Sequence, residues 1–338
     1  MLIYTIRRLL GSIIVLLIAS FLVFWYVASS FDPLKADRMR NPRPPDSYFE
    51  AKEKALNLNG PIWDRYWNWL SHLVDPSSSF PFIGFNFRND VNGNPISPQL
   101  KDSLEVTTRM VIGAIILAGL LAIILGVISG VRRDKPLDIG VTILTFVLIA
   151  LPTFWFAALL KQGAIAANDH VFHDRVLQVT FEETPALETY ATKAQLWEDR
   201  IKHLILPTLS LGLLTAASWI RYQRASTIDV LEADYMRLAR AKGVRNRTVI
   251  RRHGLRNALI PLVTVMAIDV GALFGGAIIT EKVYAWNGMG SYLLNTAFKD
   301  EDIYGVAGWV MVSAIFVVLF NLLADLLYAV LDPRIRLS

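Results

Sequence analysis

Cysteine is absent from this 338-residue chain, which excludes disulfides, thiol nucleophiles and cysteine-ligated metal centres and leaves no sign of redox compartment. Charge is scarce as well: Asp, Glu, Lys and Arg make up 19% of the residues, against 54% hydrophobic. A soluble chain of this length is rarely so apolar, so the composition points to an integral membrane protein. The GxxxxGK[ST] phosphate loop does not occur, so the chain lacks that means of binding and hydrolysing ATP. HExxH is missing too, and no serine–histidine or carboxylate pair lies inside an apolar run, which argues against an intramembrane enzyme. No internal repeat or low-complexity tract is present. A secondary transporter working alone would predict several intramembrane charges and often inverted repeats, and neither is visible.

What is present is a series of apolar runs. Six are long enough for a bilayer core, which needs roughly 20 residues: 9–30, 106–131, 139–160, 204–220, 259–280 and 306–330. The fourth is the shortest and contains Pro207 and Gly212. Arg7 and Arg8 precede the first, but its length and the Phe24, Trp25, Tyr26 end suit an uncleaved anchor better than a signal peptide. Basic residues beside the spans set the orientation. Arg7, Arg8, Arg132, Arg133, Lys135, the basic loop after the fourth span, Arg334 and Arg336 all fall on one side. That side is cytoplasmic and holds both termini. Arg38, Arg40 and Arg43 are discordant, but they lie in a long outer segment, and such segments cross largely regardless of charge. The basic balance reflects these inner loops, so nucleic acid is not an expected partner.

The segment 221–258 carries the most functional information. It has ten cations against three acids, a net +7. Ser226 or Thr227 can cap a helix, with Asp229 and Glu232 in its early turns. Ile228, Leu231, Tyr235 and Leu238 fall on one stripe. Gly243 follows Lys242 where a left-handed residue would stop that helix, while Ala239 and Ala241 allow close approach by another surface. A basic second helix follows, then Pro261 at the return to the membrane. The plan of helix, glycine and helix reads as a docking platform for a soluble cytoplasmic partner.

Asp269 stands near the middle of the fifth run, with Gly271, Gly275 and Gly276 on the same helix and GxxxG spacing between Gly271 and Gly275. An intramembrane carboxylate is costly and faces a helix interface or a watery cavity. Three readings stand: a hydrogen bond that holds the bundle, a lining residue of a translocation path, or a proton relay. Asp325, near the end of the sixth run, suits an interfacial ion pair.

Outside the membrane, segment 31–105 begins with the proline-rich NPRPPDS and then offers two helices. The first is capped by Asp46 or Ser47 over 48–57. The second covers 61–73, with Ile62, Tyr66, Trp69 and Leu73 on its apolar face and Trp63 and Trp67 adding aromatic surface. Segment 75–98 is rich in turn residues. The second outer loop, 161–202, has five cations against seven acids and a helix-like stretch at 187–196. His170 and His173 with Asp169 and Asp174 suit a solvated turn better than a metal site.

Several fragments together carry a resemblance: MLIYTIRRLL, LNLNGPIWDRYWNWL, SLEVTTRMVIGAI, HLILPTLSLGL, DYMRLARAKGV, RRHGLRNALIPLVT, GGAIITEKVYAWNGMG and DLLYAVLDPRIRLS. In this order and spacing, over nearly the whole length, the chain resembles the membrane subunits of ATP-binding-cassette importers. The match is to the B-type permease of the oligopeptide/dipeptide family. The resemblance implies an all-α fold with six transmembrane helices of the type I importer kind. It divides the chain into an N-terminal stub and first helix (1–30), an extracytoplasmic region (31–105) and a permease core (106–338). It also implies a second homologous permease, two ATPase domains or subunits that bind ATP and Mg, and an extracytoplasmic substrate-binding protein that delivers peptide. This chain itself would hold no cofactor and no catalytic residue, and it would sit in the cytoplasmic membrane of a prokaryote. By position, the ATPase-coupling residues are Tyr235, Arg237, Leu238, Ala239, Arg240, Ala241 and Gly243, then His253, Leu255, Arg256 and Asn257. The general importer signature has Glu-Ala where Arg237-Leu238 stand and proline where Arg256 stands; peptide-type permeases tend to depart in this way. The enlarged 161–202 loop suggests adaptation to a particular binding protein or outer gate. Asp269, Gly271, Gly275 and Gly276 are the pathway candidates. Dipeptide, oligopeptide, glutathione and nickel importers share this permease type.

Overall fold

A computed structural model describes the backbone of residues 2–73, 85–185, 187–189 and 191–331, with side chains except those of 2–6, 188, 246, 247, 253, 272, 275, 276 and 324–331. Asp325, Arg334 and Arg336 are therefore outside the described side chains. The chain forms two compact units, Met1–Val106 with Asn287–Val318, and Thr107–Trp286 with Leu319–Ser338.

In the first unit, α1 (Leu2–Ser30) is an apolar helix that contains the first expected span. Ile13, Ile14, Val15, Ile18 and Leu22 are exposed along it, a surface suited to lipid. Short α2 (Lys35–Arg38) and α3 (Asp46–Ala55) follow. The residue before α3 is Pro45, and no side chain caps that helix. Asp46 instead occupies its first turn, where its charge suits the helix dipole, so the expected Asp46 or Ser47 cap does not form. The amphipathic α4 (Ile62–His72) buries Tyr66 and Trp69, as its spacing predicts. Phe24 of α1 packs 5.6 Å from the Tyr66 ring and 5.8 Å from Trp69, and the Ser20 and Tyr66 hydroxyls are 2.9 Å apart. Trp63 and Trp67 remain exposed. Of the expected irregular stretch 75–98, residues 75–84 lie outside the described residues. The remainder turns around Asp90, whose carboxylate accepts the Asn92 and Asn94 amides at 2.9 and 2.8 Å.

The same unit contains α13 (Met289–Tyr292) and the start of α14 (Ile303–Leu331). The turn before α14 is acidic. Glu301 accepts the Lys35 ammonium and the Asp32 amide, which holds its carboxyl below the usual range. Asp302, 1% exposed, accepts the Tyr304 amide at 3.1 Å. Burial, with Asp90 nearby, pushes its carboxyl up to about 7.

α5 (Ile96–Leu121) begins ten residues before the expected second span and runs through a π turn (Ala122–Gly126) into α6 (Val127–Val131). In the second unit this continuous rod lies against α9 (Lys193–Glu232), a 40-residue helix. The expected fourth span, 204–220, is only the middle of α9, and Pro207 lies inside it without ending it. Packed neighbours make a proline tolerable there. The third expected span, 139–160, is not one helix. α7 (Pro136–Ala150) and α8 (Thr153–Ala167) meet at a 106° bend. Pro152 cannot donate the next helical hydrogen bond, and Leu151 before it is extended, φ −83° and ψ 129°.

The expected helix at 187–196 is divided: a 3-10 turn (Leu187–Thr189) lies at its start, and its last four residues open α9, whose start is fixed by a Thr192–Gln195 capping box. The expected fifth span lies within α12 (Leu255–Tyr284), with Pro261 inside the helix rather than at its entry. At the far end of α12, the Tyr284 hydroxyl is 2.7 Å from Ser210 Oγ of α9 and donates to the Ala157 carbonyl of α8 at 3.1 Å. Among the described residues four helices are each long and apolar enough to cross a bilayer, and α7 with α8 forms a bent pair that passes the same test.

Candidate coupling site and intramembrane carboxylate

α9 ends at Glu232, and Ala233 is extended, φ −66° and ψ 147°. α10 (Asp234–Ala241) starts immediately after it. The continuous helix expected from Ser226 or Thr227 to Lys242 is therefore two helices with a break at Ala233. Ser226 and Thr227 are not caps. They are buried within α9, where Ser226 Oγ donates to the Ala258 carbonyl at 2.9 Å and Thr227 Oγ1 to the Gln223 carbonyl at 2.7 Å. The expected stripe is split as well: Ile228 and Leu231 stay on α9, partly buried, while Tyr235 and Leu238 are exposed on α10.

α10 is held by a residue off that stripe. Met236 is fully buried, and a Cβ added to Gly254 would lie 3.0 Å from Met236 Cε. A side chain there would press on the end of the methionine, which would have to shift. The Asn257 side-chain amide donates to Tyr235 Oη at 3.1 Å. α10 stops as its sequence predicts. Gly243 has φ +78°, and its amide bonds to the Arg240 carbonyl at 3.0 Å. Leu238 is 57% exposed, and Arg237, Arg240, Ala241 and Lys242 surround it at the surface, with Ala239 half-buried. Arg237 faces Asp234 at 3.8 Å. Such an exposed pair contributes little stability, so these cations stay available to a partner. The expected second helix is short α11 (Asn246–Val249), and a π turn (Ile250–Gly254) joins it directly to α12. His253 lies in that turn with its side chain outside the described set; Leu255, Arg256 and Asn257 form the first turn of α12.

Behind α10 the helices are locked by close contact. A Cβ on Gly126 would meet Gln223 Cβ at 2.7 Å and the Ile220 carbonyl oxygen at 3.0 Å; one on Gly130 would meet Thr227 Cβ at 2.7 Å and the Arg224 carbonyl oxygen at 3.0 Å. These two glycines let the α5–α6 rod lie directly on the α9 backbone. At the same level Asp138 of α7, 2% exposed, takes both Arg224 Nε (2.6 Å) and Nη2 (2.7 Å), the Ser129 hydroxyl and the Asp134 amide at 2.9 Å. The bidentate pair joins α7 to α9 and α6. Arg133 and Glu232 add an exposed pair at 2.9 Å. The Asp138–Arg224 pair is not visible in the sequence. An acid just after Pro136 reads as an ordinary first-turn residue, and its partner lies 86 positions away.

Asp269 is partly exposed on α12, and Oδ2 accepts the Trp219 indole N–H at 2.7 Å. Trp219 is fully buried beside Ala118, Ala122 and Leu262. Gly271 is partly buried; Gly275 and Gly276 lie in α12, but their surroundings are outside the described set. Asp269 thus makes the helix-to-helix hydrogen bond that was one of its three readings. The remaining pathway candidates are on the same helix.

Two family models together match residues 1–337. Residues 122–337 match the family described as binding-protein-dependent transport system inner membrane component. Residues 1–121 match the N-terminal region of binding-protein-dependent transport system membrane components. An oligopeptide transport system permease protein, OppB, of Mycobacterium tuberculosis is 36% identical over 338 residues, 99% of each chain. The oligopeptide permease AppB of Bacillus subtilis is 33% identical over 334 residues, 98% of this chain and 99% of its own. The glutathione permease GsiC of Escherichia coli K12 is 33% identical over 338 residues, 99% of each.

Proposed function

This chain belongs to the inner membrane components of binding-protein-dependent transport systems, a multi-pass permease subunit of an ATP-binding-cassette importer, and from that membership we propose that it carries oligopeptides. Relatives over the full length are named for oligopeptide and glutathione transport, which supports a peptide cargo over nickel. The proposed assembly is a heterodimer with a homologous permease, two ATPase domains or subunits that bind ATP and Mg, and an extracytoplasmic binding protein. The basic residues flanking the spans favour both termini on the cytoplasmic side.

In this reading α10 is the coupling helix, and residues 234–257 are the docking surface for an ATPase subunit. The observation that carries it is the way α10 is mounted. Its outer face offers Tyr235, Leu238 and a rim of arginines, while Met236 is seated against Gly254 at the head of α12. Movement imposed on α10 passes to α12 through that seat, and to α9 through a one-residue joint at Ala233. Asp138 and Arg224 then carry it to α7. ATP-driven closure of the ATPases would thus rock the spans between inward- and outward-facing states.

The test is co-purification. Leu238→Asp places a charge in the centre of the exposed face without touching Met236. The variant is expected to insert in the membrane yet lose at least about tenfold of its associated ATPase, the scale of one central interface residue. Normal retention of ATPase would refute the assignment of α10.

A further inference from the structure

Asp269 lies at the midpoint of the 30-residue α12, about 20 Å from either end at the helical rise. Among the described residues its one hydrogen bond comes from Trp219, and no Lys, Arg or His stands within ion-pair distance. An indole N–H is neutral. It orients the carboxylate but does not neutralise it. The indole is itself immobilised, fully buried between Ala118, Ala122 and Leu262, so the geometry is stiff. Oδ2 faces the indole, and among the described residues Oδ1 has no partner. Asp269 is partly exposed, and the adjacent Ile268 is exposed. The described residues of this chain therefore leave the carboxylate incompletely enclosed.

An unneutralised carboxylate in the bilayer core is expensive. None of the described residues supplies a counter-charge, so a cation from outside the chain would be stabilised here. A peptide brings one in a constant place, since its unmodified N-terminus is a primary ammonium with three donors; glutathione carries such a group as well. A preset carboxylate oxygen suits that group, and the pair is charge-assisted. We propose that Asp269 Oδ1 is a binding site for the ammonium of the passing peptide, with Trp219 as the residue that positions the carboxylate. This rests on the peptide reading above and deepens it, because it names the end of the cargo that the membrane path recognises.

The test uses the whole complex in proteoliposomes, with its second permease, ATPases and binding protein. Uptake of a tripeptide is compared with uptake of its N-acetylated form, with the binding protein saturated by each so that delivery is equal. Wild type is expected to move the free-amine peptide at least about tenfold faster, the scale of one hydrogen bond to a charged group. Asp269→Asn should bring the ratio close to one, and Asp269→Glu should restore part of it. A ratio that Asp269→Asn leaves unchanged overturns the proposal. An equal fall in uptake of both peptides overturns it too, because the carboxylate would then be pairing with a fixed cation of another subunit. If wild type carries neither peptide, the peptide reading itself fails and the inference falls with it.

Discussion

Removing the Asp138 carboxylate tests the proposed path of force most directly. In Asp138→Ala, Arg224 loses hydrogen bonds of 2.6 and 2.7 Å, and Ser129 and the Asp134 amide lose their acceptor. Breaking a buried ion pair from one side costs roughly 3–5 kcal/mol when the surviving charge stays buried. Here the acid is 2% exposed but the Arg224 side chain is 27% exposed, so the guanidinium can turn toward water. The expected cost is therefore at or just below the low end of that range, about 2–3 kcal/mol. Arg224→Ala strands the more deeply buried partner and is expected to cost about 1 kcal/mol more. The double variant removes both charges and should be less destabilised than the two losses added, with an interaction energy of about 1–2 kcal/mol. Thermal unfolding of the purified complex at one fixed scan rate measures the series, because large assemblies unfold irreversibly. The functional readout is peptide moved per ATP hydrolysed. If α7 follows α9 through this pair, Asp138→Ala lowers that ratio while ATPase remains associated. A variant with wild-type unfolding and a wild-type ratio would refute the reasoning.

Three further outcomes can be checked. At Gly243 an added Cβ meets nothing within 4 Å, so φ +78° alone demands glycine; Gly243→Ala should cost about 1–2 kcal/mol and speed amide exchange in α10, and Gly243→Asn should cost less. Gly130→Val drives a branched side chain against Thr227 and the Arg224 carbonyl, so the α6–α9 contact should open and the yield of assembled complex should drop well below that of a Gly140→Val control, where the same Cβ meets nothing. Asp302, raised from 3.8 to about 7 by burial, keeps its proton longer in the folded protein. Its contribution is thus full below about pH 4 and is lost as pH rises to 7. Unfolding temperature should fall across that window, Asp302→Asn should flatten the slope, and equal slopes would contradict the assignment.

Local chemistry was legible where one residue settles the backbone. Gly243 stops α10 because only its φ is needed, and the exposed basic face of α10 follows from composition. Helices α3 and α4 and the burial of Tyr66 and Trp69 also follow from short-range spacing. Proline was a poor guide by itself. Pro152 breaks the third span, yet Pro207 and Pro261 lie inside continuous helices. Proline type alone does not separate these cases, since Pro207 is buried and Pro261 exposed. The pairings that join helices were hidden by distance along the chain: Asp138 finds Arg224 across 86 positions, and Asp269, legible as a bundle-holding carboxylate, finds Trp219 across 50.

The break at Ala233 shows why this distinction matters for function. Nothing in Leu231–Tyr235 marks a stop, since neither glycine nor proline is present. A helix continued through Ala233 would keep Tyr235 and Leu238 in line with Ile228 and Leu231, which are partly buried against the bundle. One extended residue releases the last two from that face. The energy that offsets this interruption is tertiary: Met236 goes from solvent to complete burial against Gly254, worth about 1.5–3 kcal/mol for a side chain of its size. That is comparable to the cost of losing a few helical hydrogen bonds and restarting the turn. The joint is therefore a product of the α10–α12 contact and not of local propensity. In the proposed coupling role, α10 stays attached to the bundle through buried Met236 and the Asn257–Tyr235 hydrogen bond while its exposed face remains open to a partner.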